Sequence, residues 1–211
     1  MKRARRRTLS FASALRIERK GKRGVLAELH QVDLAVYSAV ARARTPSLDD
    51  FMRRLSHAAN YSRLSLAAAA ILSVAGGPSG RRAAGQGLAS VGVTAAVVNV
   101  LVKPFARRRR PERHALKVPV ARHVRMPVSR SFPSGHSAAA FAFATGVGHA
   151  MPAAAAPLTA LAALVAYSRV HTGVHYPGDV VAGALLGTML AQGTTRMLDT
   201  HAPAAEFTQT Y

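Results

Sequence analysis

The stretch "ASVGVTAAVVNVLV", Ala89–Val102, carries no charge and is apolar around the full circumference of a helix. A helix that meets water needs a polar face, so a stretch without one belongs in a protein core or in lipid. The same character recurs on both sides of it. Apolar stretches run from 62 to 77, which contains "AAAAILSVAGG" (Ala67–Gly77), from 85 to 102, from 137 to 151, from 153 to 168 and from 179 to 195. Most are shorter than the roughly 20 residues that cross a bilayer, and they are rich in alanine, so each alone also fits a buried helix of a soluble all-helical protein. Five in succession leave few polar faces to meet water. The pattern predicts an all-α integral membrane bundle of about five transmembrane helices. Gly183 and Gly187, in "GALLG", are small residues spaced to let helices approach closely, within one chain or between two.

Outward from this region the chain changes character. Residues 1–23, including "MKRARRR" and "RIERKGKR", form a basic tail without the apolar core of a secretory signal peptide. From Gly24 to Leu64 the pattern is amphipathic, with Leu26, Leu29, Leu34, Val36, Phe51, Leu55 and Leu64 at helical spacing and a break at "TPSLDD". Ser47 is the expected N-cap of the second helix, with Asp49 and Asp50 in its first turn, where the helix dipole favours acids. The expected organisation is a basic cytoplasmic tail at 1–23, amphipathic interfacial helices at 24–60, a transmembrane domain at 61–198 and a short tail at 199–211.

Composition bounds the chemistry. At 211 residues and 49% hydrophobic residues the chain suits one domain, and its mean hydropathy of +0.10 is diluted by the basic front. The absence of cysteine excludes disulfides and thiolate metal sites and leaves the redox compartment open. With only nine Asp and Glu residues the chain shows no cluster of acidic ligands fit for magnesium, and no cofactor is expected. A net charge of +20 implies an anionic partner: nucleic acid, an acidic membrane surface or a phosphorylated small molecule. The heavy use of Ala, Arg, Gly and Pro points to a GC-rich bacterial genome.

Reactive side chains gather at the ends of the apolar stretches. In "KPFARRRRP", six residues separate Lys103 from Arg110, which are able to hold phosphate oxygens as a point charge and a planar fork. Taken alone, such a run beside an apolar helix is more often a topology anchor or a contact for anionic headgroups. In "RSFPSGHSAAAFAF", Arg130–Phe143, Ser134 is placed to cap a helix, Gly135 lets a ligand approach the backbone, and His136 stands where the helix N-terminus attracts an anion. A capped helix with an incidental histidine explains that motif as well. In "YSRVHTGVHYPGD", Tyr167–Asp179, Arg169 supplies another fork and Asp179 lies four residues beyond His175, at the spacing that orients an imidazole. A polar helix cap beside a solvated histidine is the local alternative. His171 and Tyr176 receive no role.

As an ordered set, Lys103…Arg110-Pro111, Pro133-Ser134-Gly135-His136 and Ser168-Arg169…His175…Asp179 resembles the type 2 phosphatidic acid phosphatase (PAP2) superfamily, closely over 103–179 and more loosely in the flanking helices. The resemblance implies His175 as the nucleophile that takes the phosphoryl group and Asp179 as its polarising carboxylate. It implies His136 as the acid for the leaving alcohol and then as the base for water. Lys103, Arg110, Arg169, Ser134 and the Gly135 N–H become the phosphate cradle, with no metal required. The superfamily includes soluble acid phosphatases, vanadate haloperoxidases and membrane lipid phosphatases, and the five apolar stretches place this chain with the last. Many membrane members have six spans, whereas here the amphipathic 24–60 region stands in place of the first.

Two expected spans separate the basic front from the Lys103–Arg130 loop, so the positive-inside rule puts the active site at the cytoplasmic face of the bacterial inner (plasma) membrane. The expected substrate is a phosphomonoester or diphosphate of a lipid or polyprenyl carrier. Phosphatidic acid, phosphatidylglycerophosphate and undecaprenyl diphosphate all fit, and an actinobacterial source would favour decaprenylphosphoryl-5-phosphoribose. Anionic headgroups are the expected partners of the basic N-terminus, nucleic acid is not expected, and the sequence leaves the oligomeric state open. A non-catalytic basic protein of the membrane surface or of nucleic acid is the reading from another class, but it gives no reason for His136, His175 and Asp179 to stand where they do.

Overall fold

The structure is a computed structural model that describes the backbone of residues 11–201 and the side chains of 24–25 and 27–201. The start of the basic tail and nearly all of the C-terminal tail lie outside those residues, and so do the side chains expected to meet anionic headgroups. Two helices precede the apolar region, α1 (Phe11–Arg42) and α2 (Pro46–Ala58). Helix α1 runs across position 23 without a break. The cap of α2 is Thr45 rather than Ser47. Pro46 takes the first helical position, where its missing N–H costs nothing, and this moves the cap to the residue before it. The Thr45 hydroxyl then donates to Asp49 Oδ1 at 3.0 Å.

Each apolar stretch becomes a helix: α3 (Arg63–Ala75), α4 (Gly77–Ala96, continued through a π-helical segment at Val97–Val102), α5 (Gly135–Ala150), α6 (Pro152–His171) and α7 (Pro177–Thr200). Among the described residues there is no strand. Two of these helices, Gly77–Val102 and Pro152–His171, are by themselves long and apolar enough to cross a membrane. At 13 residues α3 is only ~20 Å long, because an α-helix rises 1.5 Å per residue.

The bundle turns large apolar side chains outward and small or polar ones inward. Leu66, Ile71 and Val74 on α3, Val93 on α4 and Val181, Leu185 and Met189 on α7 are exposed, whereas Gln86, Ser90, Thr94, Ala138 and Ala142 are buried. Lipid is as apolar as leucine, so close packing of small residues, not burial of large ones, holds such helices together. Helix α5 packs against α4, α6 and α7. A Cβ added at Gly183 would stand 2.4 Å from the Ser134 carbonyl oxygen, and one at Gly187 2.1 Å from that of Ala138. The "GALLG" pair therefore seats α7 on α5 within one chain.

Helices α1 and α2 lie against the end of this bundle that carries the α4–α5 connection. Tyr37, fully buried, packs beside Val118, Val170 and Tyr176, and its hydroxyl donates to the Gly173 carbonyl at 3.1 Å. Arg122, in that connection, is also fully buried. It donates to Asp49 Oδ1 at 2.8 Å, to the Val40 carbonyl at 2.8 Å and to Thr45 Oγ1 at 3.1 Å, and His171 Nε2 donates to the same Asp49 oxygen at 2.9 Å. A buried guanidinium survives only when its charge and donors are answered, and here the answers come from α1, the α1–α2 turn and α2.

The α5–α7 contact is tested by a pair of glycines. Gly187→Ala should destabilise the detergent-solubilised protein by about 1–3 kcal/mol, the cost of overpacking, and lower its thermal midpoint. Gly193→Ala, on the same helix with nothing within 4 Å of the added methyl, should raise the midpoint or leave it unchanged.

Candidate active site

Three connections meet at one end of the bundle: the α4–α5 loop, the first turn of α5 and the α6–α7 turn. The α6–α7 turn is short because Gly173 takes φ +71°, and the backbone N–H groups of Val174 and His175 both donate to the Arg169 carbonyl at 3.1 Å. This curls His175 back toward the bundle. Pro177 then starts α7, and Asp179 Oδ2 accepts from the Tyr176 N–H at 3.0 Å. Asp179 is thus a helix cap, as the local reading of "HYPGD" allows, and it also faces His175.

The His175 ring is addressed from both sides. Its Nδ1 lies 3.5 Å from Asp179 Oδ2 and Arg110 Nη1 lies 3.1 Å from its Nε2. A guanidinium only donates, so Nε2 is an acceptor, and the ring proton sits on Nδ1 toward the carboxylate. Burial pushes the His175 imidazole down to about 4, opposed by the hydrogen bond to Asp179 and assisted by the positive charges of Arg110 and Arg169. At neutral pH the ring is therefore uncharged, with a free Nε2 lone pair.

Arg110 is fixed by backbone: it donates to the carbonyls of Ser129 at 2.8 Å, Val174 at 2.9 Å and Arg130 at 3.3 Å. Burial lowers its pKa, and the nearby Asp179 carboxylate opposes the shift. Lys103, at the end of the π-helical segment, donates to Asn99 Oδ1 at 3.2 Å, and burial, with Arg110 nearby, lowers its pKa too. Its Nζ lies 3.3 Å from where a Cβ on Gly135 would be, so a larger residue at 135 would crowd the ammonium. Ser134 caps α5 as expected: its Oγ accepts from the Ser137 N–H at 3.4 Å and from the Ser137 hydroxyl at 2.9 Å. The Ser134 N–H donates to the Asp179 carbonyl at 2.9 Å, which ties the start of α5 to the start of α7. Arg169, 2% exposed, donates to the hydroxyl and carbonyl of Ser56 on α2, while its Nε has no hydrogen-bond partner.

Beside Lys103 lies a cavity of about 220 Å³. Asn99, Lys103, Gly135 and His136 form its polar end, and Leu64, Val98, Ala139 and Val165 its apolar wall. The three sequence motifs are therefore assembled at one end of the bundle, with the Arg110–His175–Asp179 chain and this cavity as its two parts. His171 is not among them, since its ring is spent on Asp49.

Several residues at the site had no sequence signal of their own. Ser131 Oγ donates to Asp179 Oδ2 at 2.5 Å, and Arg108 Nη1 donates to Asp179 Oδ1 at 3.0 Å. The second Arg108 nitrogen donates to Asp33 Oδ2 on α1, and its guanidinium stacks 4.3 Å over the Tyr176 ring. Asp33 Oδ1 in turn accepts from the Gly178 N–H. Nothing in "ARRRRP" says which arginine faces inward, and nothing sets Asp33 apart from the other acids of α1, Glu18 and Glu28. Asn60, whose Oδ1 lies 3.0 Å from His136 Nε2, carried no signal at all.

Decaprenylphosphoryl-5-phosphoribose phosphatase of Mycobacterium tuberculosis is 38% identical over 94 residues, which cover 43% of this chain and 48% of that protein. The protein of the same name from Mycolicibacterium smegmatis is 38% identical over 152 residues, 68% of this chain and 75% of that one. The chain thus spans about half the length of its tuberculosis relative and three quarters of the other. Among solved structures, a transmembrane PAP2 type phosphatidylglycerolphosphate phosphatase from Bacillus subtilis superimposes with a TM-score of 0.65 at 25% identity, over 83% of this chain and 89% of that one. Aquifex aeolicus LpxE does so with a TM-score of 0.63 at 27% identity, over 77% and 94%. The family model of the PAP2 superfamily matches residues 84–202, which hold all three motifs, and the chain is a membrane protein that belongs to that superfamily.

Proposed function

We propose that this chain is a metal-independent membrane phosphatase that hydrolyses a polyprenyl-linked sugar phosphate, decaprenylphosphoryl-5-phosphoribose, through a phosphohistidine on His175. The observation that carries the chemistry is the line Arg110–His175–Asp179, which leaves Nε2 unprotonated and aimed at a cation that recognises phosphate. The Nε2 lone pair attacks phosphorus, the ester P–O bond breaks, and His136 gives its proton to the departing alcohol. The new P–N bond leaves a positive imidazole, which Asp179 stabilises from the Nδ1 side. His136 then takes a proton from water, whose oxygen attacks phosphorus as the P–N bond breaks, and inorganic phosphate leaves. Lys103, Arg110 and Arg169, with the first N–H groups of α5, spread the charge of the transferring group.

The substrate assignment rests on the shared name of the two mycobacterial relatives and on the cavity, whose apolar wall continues from the Lys103 and His136 end. With α3 to α7 as five crossings of the bacterial plasma membrane, α3 and α4 return the chain to the side on which α1 and α2 lie. Both that region and the loop from Lys103 to Arg130 are rich in Lys and Arg, which favours the cytoplasmic side for the active site.

Detergent-purified protein should release phosphate from decaprenylphosphoryl-5-phosphoribose in excess EDTA, faster than from phosphatidic acid, phosphatidylglycerophosphate or undecaprenyl diphosphate. His175→Ala should lower that release by at least about 10³-fold without loss of the folded protein. Preference for another lipid in the panel would reassign the substrate, and loss of activity in EDTA would remove the metal-free mechanism.

A second expectation concerns pH. Because burial holds His175 near 4 rather than 6.5, protonation removes the nucleophile only in strong acid. Single-turnover phosphohistidine formation, corrected for the substrate's own titration near pH 6, should persist to about pH 5 and fall toward pH 4. A limb at 6.5 would show a solvated ring.

Sidedness can be read from a single cysteine, since the chain has none of its own. Val128→Cys, at a fully exposed position of the α4–α5 loop, should stay unlabelled by a membrane-impermeant maleimide in intact cells and react after permeabilisation. Labelling in intact cells would place the site on the outer face.

A further inference from the structure

We propose that Asn60 is the positioning residue for His136: its side-chain oxygen accepts the Nε2–H proton and leaves Nδ1 as the nitrogen that gives and takes the catalytic proton. The inference rests on the phosphatase reading above and adds a residue to it. The geometry is a 3.0 Å contact between Asn60 Oδ1 and His136 Nε2, joining the α2–α3 turn to the first turn of α5. The next two residues of that turn, Tyr61 and Ser62, both have φ 55°, a left-handed conformation that side chains other than glycine adopt at a cost. Both line the cavity that Lys103, Gly135 and His136 close at its polar end. A strained turn that presents one amide to a proton-transfer residue is what a positioning role requires.

The two histidines are then oriented from opposite ring nitrogens. Asp179 faces Nδ1 of His175 and frees Nε2 for attack, whereas Asn60 holds Nε2 of His136 and frees Nδ1 for proton transfer. The choice of partner suits the tasks. A carboxylate stabilises the positive ring that forms on the nucleophile, while a neutral amide orients the acid without holding its proton back. Beside the bound phosphate anion His136 carries a proton on each ring nitrogen: in the first step the Nδ1 proton passes to the leaving oxygen as the P–O bond breaks, which leaves the ring neutral, and in the second Nδ1 takes a proton back from the attacking water. Throughout, the Nε2 proton stays on the ring.

The test is the dependence of kcat/KM on the leaving group, because an alkoxide needs a proton as it departs and a nitrophenolate does not. Wild type, Asn60→Ala and Asn60→Asp are compared on decaprenylphosphoryl-5-phosphoribose and on p-nitrophenyl phosphate. Asn60→Ala should lower the ratio of the sugar ester to the aryl ester by roughly 10–100-fold, as loss of an orienting partner does. Asn60→Asp keeps the acceptor oxygen, and its added charge weakens phosphate binding for both esters alike, so the ratio should stay near that of wild type. An equal loss on both esters in Asn60→Ala, the mark of a merely structural role, would overturn the proposal. So would an aspartate variant that matches alanine, which would mean that the amide donates to Nε2. If wild type turned over neither ester, the phosphatase reading itself would fall and this proposal with it.

Discussion

The carboxylate of Asp179 is fully buried, and a charge taken out of water must be answered by donors on every side. Those donors come from all over the chain: Ser131 and Arg108 from the α4–α5 loop, the Tyr176 N–H from its own helix start, and the His175 ring four residues before it. Its backbone carbonyl holds the first residue of the α5 motif, Ser134. Through Arg108 and Asp33 the same chain of charges reaches α1. Removing one partner from a buried ion pair costs about 3–5 kcal/mol, several times the strength of one surface bridge. The demand that fixes this carboxylate therefore also fixes the helix packing around it.

That demand explains why a membrane bundle carries two helices outside its apolar region. Helix α1 supplies Asp33 to the Arg108 link and Tyr37 to the α6–α7 turn, and α2 supplies Ser56 to Arg169 and Asp49 to Arg122 and His171. Three of these contacts, to Arg108, Arg169 and the α6–α7 turn, end beside the site, and the Asp49 contacts hold α2 to the α4–α5 loop and to α6. Within the bundle the logic is different. There α5 is seated by glycine and alanine against α4 and α7, and the large side chains are left to face lipid. Polar ties hold the site end together, while close packing of small residues holds the rest.

Eight residues picked from three motifs, Lys103, Arg110, Ser134, Gly135, His136, Arg169, His175 and Asp179, fall at one end of the bundle, because their spacing relative to helix starts is local information. Ser134 as a cap follows from the same local rules. The cap of α2 went to Thr45 for an equally local reason, since a proline claims the first helical position wherever it can. What local rules could not supply is a partner 70 or more residues away. Asn60 for His136, Arg108 for Asp179 and Asp33 for Arg108 are pairs of that kind.

The sequence by itself determined the helical class, the five apolar helices and the membrane superfamily. Apolar periodicity, caps and motif spacing are all properties of short windows. Tertiary structure alone decided which of four consecutive arginines faces His175, which bonds the Asp179 carboxylate, and which asparagine meets His136. Those choices depend on where donors and acceptors lie once helices distant in sequence have packed, and on the cost of leaving any of them buried without a partner.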